Sequence, residues 1–448
     1  MSFRDIPGYN SLIIPYHILQ AIFFGLKYHH PGKKLRVIGV TGTNGKTTTA
    51  FMIWKMLNKA GLKTGLMTTV AWGCPGFAGD WGGEKKKDAG KDGLIKQIEH
   101  MTTVDSKTLN QRMSEILESG AEYLVLEVTS HALAQYRTFG VPIEIAVMTN
   151  ISHEHLDYHK TMERYVAAKC KLFKKADFGI INYDDDHFQD FASTLEEPET
   201  EEVEDPDSGI WSAEIHTKKM PATGKKYITY GIKNPATIRA EAIQLEPTGV
   251  KYSCNDINLV EGKVLNTDNL TIETRIPGEF NVYNSLAAVA VGEKLNLTER
   301  QIERGIKSLK SVEGRMNAIK IFPEQNFDVI IDFAHTPDAF QKVFDSVKAK
   351  SGRIIALTGG AGRRDESTRE TRGEIMGKYA DIAIITEDDS RDEDPAEIAK
   401  MFVAGCKNSG LKEGKVLKSE KTSGKYKKHE KEILVELNRR KAINLAIN

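Results

Sequence analysis

The sequence is poor in several features that would define a class of protein. Its four cysteines, Cys74, Cys170, Cys254 and Cys406, are scattered without a C-x-x-C pair, which gives no zinc ribbon and favours free thiols in a reducing compartment. Lys and Arg together number 62, as do Asp and Glu, so no overall charge favours nucleic acid or an anionic membrane as a partner. These absences predict a cytoplasmic protein whose partner is a small molecule.

The chain also has no apolar run long enough for a bilayer span. Its most apolar stretch, residues 12–26 (LIIPYHILQAIFFGL), contains Pro15, His17 and Gln20 and is shorter than the roughly 20 residues that a span needs. We therefore expect a helix packed on the neighbouring domain and no stable membrane insertion. Association with a membrane surface is the alternative.

A chain of 448 residues is too long for one ordinary core and predicts two or three domains. Apolar strands separated by helical runs predict a parallel sheet covered on both faces, with strands at 37–40, 123–127, 145–149 and 178–182 and helices at 47–60 and 162–173. Short alternating stretches at 227–230, 251–254 and 270–276 predict antiparallel strands added to the same sheet, followed by a helix at 285–295. The inserts 73–93 and 196–207 are predicted to be mobile surface loops.

A second alternation of strands and helices begins after Gly314, which marks a hinge. Strands are predicted at 328–332, 353–358 and 382–386, with helices from Pro337 and through Met376. The expected fold class is α/β, with a central P-loop-type parallel-sheet ATPase domain followed by a smaller Rossmann-like α/β domain. The predicted organisation is an N-terminal helical segment at 1–34, a central domain at 35–313 and a shortened C-terminal domain at 314–448.

Residues 41–48 (TGTNGKTT) lie between an apolar strand and a helix, which is the arrangement of a phosphate-binding loop. The glycines let backbone N–H groups turn onto phosphate oxygens, and the start of the helix adds its positive dipole end. Lys46 can reach terminal phosphates and Thr47 can bind Mg2+. The common motif would place its first glycine at position 40, which is Val40, so a plain turn competes; the flanking strand and helix favour nucleotide binding.

Two polar side chains near the ends of successive predicted strands could hold a divalent ion beside the nucleotide. Glu127 ends the strand 123–127 and His155 follows the strand 145–149, and open α/β sheets bind ligands at this edge. Each residue alone is more often structural. Lys169 lies on a predicted helix, where a lysine is usually a surface charge.

Three polar loops follow strands of the second predicted domain. Asp332 and His335 precede a helix that Pro337 opens, residues 359–365 (GGAGRRD) form a second glycine loop with arginines suited to anions, and residues 388–391 (DDSR) follow the last strand. Three such loops at one sheet edge predict a ligand cleft between the two domains.

In order along the chain, these blocks closely resemble the Mur ligases, specifically the MurE branch that adds the third residue to UDP-N-acetylmuramoyl-L-alanyl-D-glutamate. The matching blocks are 41–48 (TGTNGKTT), 127–133 (EVTSHAL), 149–159 (TNISHEHLDYH), 280–284 (FNVYN), 314–316 (GRM) and 332–338 (DFAHTPD). The resemblance covers residues 35 to 445, and the short glycine loop is the form that this family uses.

The resemblance implies a role for each matching residue. ATP would contact Gly42, Thr43, Asn44, Gly45, Lys46, Thr47, Thr48, Asn284, Arg315, Asp332 and His335. Mg2+ would be held by Thr47, Glu127, His155 and a carbamylated Lys169, which replaces the expectation of a surface charge. The muramoyl peptide would contact Thr102, Thr103, Thr129, Ser130 and Arg137, and the incoming amino acid Asp388 and Arg391. Lys46, Glu127, His155 and Lys169 would carry the catalysis.

The implied reaction is ATP-dependent amide ligation in peptidoglycan precursor synthesis. The substrate carboxylate attacks the γ-phosphate to give an acyl phosphate, and the amine of an amino acid, diaminopimelate or lysine, then displaces phosphate. Mg2+ and Lys46 neutralise charge, and closure of the two domains positions the reactants. The expected partners are these small substrates, and the expected state is a monomer, with a partner chain as the alternative.

Both ends depart from the family pattern. Only 34 residues precede the first predicted strand, where the family usually has a domain for the uridine nucleotide, so uridine recognition is expected from residues 12–26 or from another chain. The chain stops at position 448, before the family's last strand and helix. Alternatives are a non-catalytic or partner-dependent relative and an amidating subunit, although the latter typically has a four-cysteine zinc ribbon. Folylpolyglutamate synthetases share the architecture but fit blocks 127–133 and 332–338 poorly.

Overall fold

The computed structural model describes residues 9–77, 90, 92–99, 101–196, 226–246, 248–255, 257–258, 264–265, 270–348, 352–363, 366–413 and 432–447. The chain divides into two compact units. The first comprises Met1–Ile151 and Glu163–Glu313, and the second comprises Ser152–Met162 and Gly314–Asn448. The chain therefore leaves the first unit for a short segment, returns to it, and leaves again after Glu313.

Helices occur in both units. They are α1 (Tyr9–Lys27), α2 (Lys46–Lys59), α3 (Ser106–Glu118), α4 (Ser130–Ala134), α5 (Leu156–His159), α6 (Met162–Phe173), α7 (Phe188–Ala192), α8 (Phe280–Lys294), α9 (Glu299–Lys307), α10 (Pro337–Lys348), α11 (Ser367–Tyr379), α12 (Pro395–Asn408) and α13 (Arg439–Ile447). The predicted helix at 12–26 is confirmed as part of α1, and its inward face packs against α3.

Strands also occur in both units. They are β1 (Arg36–Thr41), β2 (Thr64–Met67), β3 (Ala71–Gly73), β4 (Leu94–Lys96), β5 (Tyr123–Glu127), β6 (Ile143–Met148), β7 (Ala176–Asn182), β8 (Tyr227–Gly231), β9 (Ile238–Glu246), β10 (Gly249–Asn255), β11 (Ile257–Asn258), β12 (Val264–Leu265), β13 (Leu270–Thr274), β14 (Asn317–Ile319), β15 (Val329–Ile331), β16 (Ile355–Thr358), β17 (Ile382–Ile385), β18 (Lys412–Glu413) and β19 (Glu432–Val435).

An eleven-stranded sheet organises the first unit, in the order β13-β10-β9-β8-β7-β6-β1-β5-β2-β3-β4. The strands from β9 to β2 in this order run parallel, and antiparallel strands extend both edges. Helix α2 covers one part of the sheet beside α8 and α9. Its Trp54 is almost fully buried and donates from Nε1 to the Thr64 carbonyl at 2.9 Å.

One predicted strand direction is wrong. The strand at 227–230 was expected to be antiparallel, but β8 pairs in parallel with both β7 and β9. All five residues of β8 are buried, as is usual for a strand inside a parallel sheet. An apolar run of this length predicts a strand but does not encode its direction. The strands β10 and β13 are antiparallel as predicted.

The second unit has a smaller parallel sheet, in the order β16-β17-β19-β18. The strand predicted at 328–332 does not belong to it. Among the described strands, β15 pairs only with β14, in an antiparallel two-stranded sheet. The prediction of three polar loops at one sheet edge is therefore wrong for the loop after β15. A run of three apolar residues can form a strand in a parallel or an antiparallel sheet, so the run alone does not show which sheet it joins.

All four cysteines are free and buried, which confirms the predicted thiols. Most of the two predicted surface inserts lies outside the described residues, which include only 73–77, 90, 92–93 and 196 of them. Arg364 and Asp365 of the second glycine loop also lie outside the described residues.

Candidate functional site

Parallel pairing brings the ends of β1, β5 and β6 to one edge of the large sheet. Val40 is in register with Glu127, and Thr41 is in register with Met148. Because neighbouring parallel strands end on the same side, the loop after β1, the carboxylate at the end of β5 and the residues after β6 lie together. This edge carries the phosphate loop predicted from the sequence.

Two glycines give the loop a shape that no other residue allows. Gly42 has φ 144° and Gly45 has φ 83°, values that favour glycine. A Cβ at Gly42 would lie 1.9 Å from Thr149 Oγ1, and one at Gly45 would lie 2.3 Å from Asn284 Oδ1. Since Gly45 is also the N-cap of α2, the first N–H groups of that helix are available to an anion.

The end of β6 holds the loop in place through four hydrogen bonds. Thr43 N–H donates to the Asn150 carbonyl at 2.7 Å, and Asn44 N–H donates to Asn150 Oδ1 at 3.0 Å. In return, Asn150 Nδ2 and Thr149 Oγ1 donate to the Asn44 carbonyl at 2.9 and 2.7 Å. The loop is therefore preorganised. Sequence reasoning assigned Asn150 no role, although it lies just after the end of β6.

Two residues of the first turn of α2 and one residue of α8 lie beside this frame. Lys46 Nζ donates to the Thr43 carbonyl at 2.7 Å, so its ammonium group lies over the loop. Thr48 is buried in the first turn of α2. Asn284 on α8 reaches the same turn, because its Oδ1 accepts from Thr49 Oγ1 at 3.2 Å. The structure thus brings Asn284 to the loop from a position more than two hundred residues away.

Glu127 is 1% exposed and accepts hydrogen bonds from two threonines. Thr47 Oγ1 lies 3.0 and 3.2 Å from its two carboxylate oxygens. Thr69 donates from its N–H at 3.0 Å and from its Oγ1 at 3.2 Å. Thr69 was missed from the sequence, which predicted no strand at the position of β2, whose end Thr69 follows.

The chemistry of this group fits a magnesium ion. Glu127 accepts from neutral donors, and no Lys, Arg or His among the described residues forms a salt bridge with it. A buried carboxylate favours a cation as partner, and hydroxyl and carboxylate oxygens are ligands that Mg2+ prefers. Within the part of the chain that the structure describes, no group of three or more His, Cys, Asp and Glu residues is arranged around a metal position.

Lys169 is 2% exposed on α6, so the expectation of a surface charge that its helical position alone suggested is wrong. Its Nζ donates to the Gly42 carbonyl at 2.6 Å and lies 4.6 Å from the centre of the Tyr165 ring. The Tyr165 hydroxyl is 2.9 Å from Thr43 Oγ1. The lysine therefore lies directly against the phosphate loop.

The threonines predicted to bind the muramoyl peptide continue the Glu127 group. Thr102 Oγ1 lies 3.0 Å from Thr69 Oγ1. Thr103 Oγ1 donates to the Glu127 carbonyl and accepts from Thr129 N–H, both at 3.0 Å.

The remaining predicted peptide contacts are close to these threonines. Arg137 donates to the Thr103 carbonyl at 2.6 Å and to Gln135 Oε1 at 2.9 Å from Nε. Ser130 is buried at the start of α4, which Thr129 caps. The structure thus brings together all five predicted peptide contacts.

In the second unit, two backbone N–H groups hold the carboxylate of Asp332. Its carboxylate accepts from Met316 N–H at 2.7 Å and from Ala334 N–H at 2.8 Å. Burial raises the pKa of Asp332, although these donors and the charge of Arg315 oppose the rise. The Arg315 guanidinium lies 4.8 Å from the centre of the Phe333 ring. Phe333 is 54% exposed, and sequence reasoning gave it no role.

A carboxylate lies between two predicted site histidines in the same unit. Glu154 Oε1 is 2.8 Å from His335 Nε2 and 3.5 Å from His155 Nε2. His155 has a left-handed backbone, with φ 58°, where α5 begins. The segment Ser152–Met162 is part of the second unit, so these three side chains belong to one unit.

The second glycine loop and the acidic loop are also neighbours. Gly362 N–H donates to the Asp389 carbonyl at 2.8 Å. Arg391 Nε lies 3.4 Å from Asp389 Oδ2, and Asp388 Oδ1 lies 3.5 Å from Arg439. Both predicted amino-acid contacts are thus already paired with charges of the opposite sign.

A parallel sheet with a glycine loop, a lysine and a threonine–carboxylate pair at its edge, followed by a second α/β unit, is the arrangement of a nucleotide-binding protein. The chain matches the Mur ligase middle domain over residues 40–204 and 207–292 and the Mur ligase glutamate ligase domain over residues 314–448. It belongs to the Mur ligase family, whose members form amide bonds at the expense of ATP.

Two relatives in sequence carry the name of one kind of ligase. The chain is 34% identical to UDP-N-acetylmuramoyl-L-alanyl-D-glutamate--2,6-diaminopimelate ligase 1 of Clostridium acetobutylicum, over 85% of this chain and 68% of that protein. It is also 34% identical to the ligase of the same name, without the number, from Nostoc sp., over 86% and 67% of the two chains. A solved folylpolyglutamate synthase of Mycobacterium tuberculosis shares the fold, with TM-score 0.65 and 14% identity over 96% and 87% of the two chains.

Among the helices that the structure describes, none combines the length and the apolar character that a membrane span needs.

Proposed function

We propose that this chain adds diaminopimelate to UDP-N-acetylmuramoyl-L-alanyl-D-glutamate in an ATP-dependent reaction of peptidoglycan precursor synthesis. The relatives supply the substrates, because their names specify both. The observation that carries the proposal is the hydrogen-bonded pair of Thr47 and the buried Glu127. It supports this reading because it puts a carboxylate next to the residue that follows the phosphate-loop lysine.

The nucleotide is proposed to bind with its phosphates on the loop 42–48. The glycine conformations and the start of α2 direct N–H groups at anions, and Lys46 supplies a positive charge to the terminal phosphates. Thr47, Glu127, His155 and Lys169 are the residues that would hold Mg2+. The ion would neutralise phosphate charge during transfer.

The carboxylate of the bound dipeptide is the proposed acceptor of the γ-phosphoryl group. Thr102, Thr103, Thr129, Ser130 and Arg137 would orient the muramoyl peptide, because they lie beside Glu127 in the same unit. The reaction then needs only positioning and charge neutralisation, with no side-chain nucleophile: an acyl phosphate forms, and the incoming amine displaces phosphate to give the amide.

Residues of the second unit complete the assignment. Arg315, Asp332 and His335, together with Asn284 of the first unit, are proposed nucleotide contacts, and Asp388 and Arg391 are proposed contacts of the incoming amino acid. Since ATP is a nucleotide of the cell interior, the proposed place of reaction is the cytoplasm.

Phosphate release tests the proposal. The purified chain is incubated with ATP, Mg2+, the UDP-muramoyl dipeptide and a panel of amino acids that includes diaminopimelate and lysine. We expect release that needs both the dipeptide and one amino acid, with a tripeptide product detected by mass spectrometry. The variant Thr47→Ala should lose most of this activity, while Thr298→Ala, which removes a helix cap elsewhere in the same unit, should keep it. ATP binding without amino-acid-dependent release would refute the ligase function.

A further inference from the structure

Helix α1 carries a stripe of large apolar side chains that is exposed to solvent. The outer stripe comprises Tyr16, Leu19, Ile22, Phe23 and Leu26, with exposed fractions of 53%, 65%, 41%, 60% and 60%. Their spacing of three and four residues places them on one side of the helix. Exposed apolar patches of this kind mark interaction surfaces.

The packing of α1 does not need the outer stripe. The opposite face holds the buried Ala21 and Gly25 and packs against α3. A Cβ added to Gly25 would lie 3.2 Å from His30 Nδ1, which shows how closely that side is filled. The helix is thus apolar on two faces, and the fold of the first unit uses one of them.

The charged side chains of α1 and of the segment that follows it have a single sign. Residues 9–35 contain no Asp or Glu. Lys27, at the end of the helix, and Lys33 and Lys34, just beyond it, are all exposed. A second copy of this chain would bring the same cations to the interface without an acid from this segment to pair with them. A surface with regularly spaced negative charges complements this segment better.

A lipid bilayer with anionic headgroups has both required properties. Apolar side chains of an interfacial helix enter the boundary between headgroups and acyl chains, and lysines approach lipid phosphates. Since none of the described helices qualifies as a membrane span, α1 would lie along the surface. We propose that α1 binds an anionic lipid bilayer through the outer stripe, with Lys27, Lys33 and Lys34 against the headgroups.

The lipid-binding helix lies beside the proposed peptide site. Helix α1 packs against α3, and Ser106, the first residue of α3, donates from its Oγ to the Arg137 carbonyl at 3.2 Å. Arg137 donates to the Thr103 carbonyl, so the helix is close to residues assigned to the muramoyl peptide. This step alone rests on the proposed function, and it links membrane attachment to the place where the acceptor binds.

Vesicle sedimentation of the full chain tests the proposal. One set of vesicles contains phosphatidylglycerol and phosphatidylcholine, and the other contains phosphatidylcholine alone. The stripe variant is Leu19→Gln/Phe23→Gln/Leu26→Gln. Its matched control is Ile98→Gln/Leu245→Gln/Ile321→Gln, which replaces three exposed apolar side chains elsewhere in the chain. A charge variant, Lys33→Glu/Lys34→Glu, keeps the apolar stripe.

We expect the wild-type chain to bind the anionic vesicles more strongly than the neutral ones. Binding should fall roughly tenfold or more in the stripe variant and about tenfold or more in the charge variant, and remain unchanged in the control. It should also weaken as salt rises from about 0.05 M to about 0.5 M. Absence of wild-type binding, or equal binding by the stripe variant, would overturn the proposal, whether or not the chain proves to be a ligase.

A fluorescence measurement separates lipid from a protein partner. In the variant Phe23→Trp, we expect the added emission, relative to the wild type, to shift to shorter wavelength with anionic vesicles and to be quenched by brominated lipids. Analytical ultracentrifugation without lipid tests whether a second copy of this chain binds the outer stripe instead. A stable dimer that the stripe substitutions dissociate, together with an unquenched Trp at position 23, would assign the surface to a second copy and overturn the lipid proposal.

Discussion

Hydrogen bonds connect the phosphate loop to the proposed peptide site through Glu127. Thr47 and Thr69 both donate to its carboxylate, and Thr69 lies 3.0 Å from Thr102. Thr69 is half-buried, and it contacts the proposed metal carboxylate and a proposed peptide residue at once. We therefore regard Thr69 as a residue that positions Glu127.

The substitution Thr69→Val tests this role, because valine has nearly the shape of threonine but lacks its hydroxyl group. We expect a loss of roughly tenfold to hundredfold in ligase activity at limiting Mg2+, because a hydrogen bond to a charged group contributes about 1.5–3 kcal/mol. The measurement is initial rate against Mg2+ concentration. Thr69→Ser keeps the hydroxyl and should restore the apparent Mg2+ affinity. If valine and serine variants behave alike, the hydroxyl has no such role.

The position of Lys169 motivates a second prediction, since its buried Nζ already contacts the loop at Gly42. If carbamylation makes it a carboxylate-like ligand, Lys169→Ala should lower the rate roughly hundredfold or more, and added formate or acetate should restore part of it. The rate of phosphate release measures both effects. Lys174→Ala, at an exposed lysine just after the same helix, should change neither. Full activity of Lys169→Ala, or no rescue, would contradict carbamylation.

At the scale of elements, α8 contains an unusual buried carboxylate near its C-terminal end. Glu293 is 2% exposed, and its Oε2 has no hydrogen-bond donor among the described residues. Burial, with a smaller effect of the Glu299 charge, raises the pKa of Glu293 to about 7. The last turn of a helix also disfavours negative charge.

This raised pKa predicts that stability falls as pH rises. The folded chain holds the Glu293 proton more tightly than the unfolded chain does, so the contribution is fully present below the unfolded pKa and is lost as pH rises through about 7. Glu293→Gln should remove this loss and be more stable than the wild type by about 3 kcal/mol at pH 8, with the difference shrinking toward about pH 4.5. Denaturant titrations across this pH range measure it. A difference that does not change with pH would refute the assignment.

At the scale of the whole molecule, each unit has its own apolar core. One cluster in the first unit includes Leu124 and Met148, whereas the second unit has a cluster around Phe402 and Met376. Separate cores of this kind usually unfold as separate cooperative units.

We therefore expect two transitions in calorimetry. Phe402→Ala should lower the transition of the second unit, because truncating a buried phenylalanine costs about 3–5 kcal/mol, and should leave the other in place. Leu124→Ala should do the reverse, which makes each variant the control of the other. A single transition that both substitutions lower equally would show that the units unfold together.

Much of the fold could be predicted because local patterns carry it. Apolar runs marked β1, β5 and β6, and the strand–glycine–helix order marked the phosphate loop. The direction of a strand and the sheet to which it belongs were harder to predict from the sequence. The pairing of β8 depends on neighbours far along the chain, and β15 pairs with β14 instead of the larger sheet.

Some residues of the proposed site could likewise be predicted from local sequence patterns, and others could not. Lys46, Thr47 and Glu127 were found from their positions beside strands and helices. Lys169 was selected by family resemblance alone, since nothing local distinguishes a buried helical lysine from an exposed one. Thr69 and Asn150 were missed because their importance lies in the groups they contact.

Residue order alone specified the strand and helix alternation, the nucleotide loop and the family, because each is a local pattern or an ordered set of local patterns. Folding in three dimensions set the rest. It buried Lys169 against Gly42 and brought Asn284 to the first turn of α2. It also left the outer stripe of α1 exposed. These outcomes depend on which surfaces meet, and hydrogen bonding and packing between distant segments decide that.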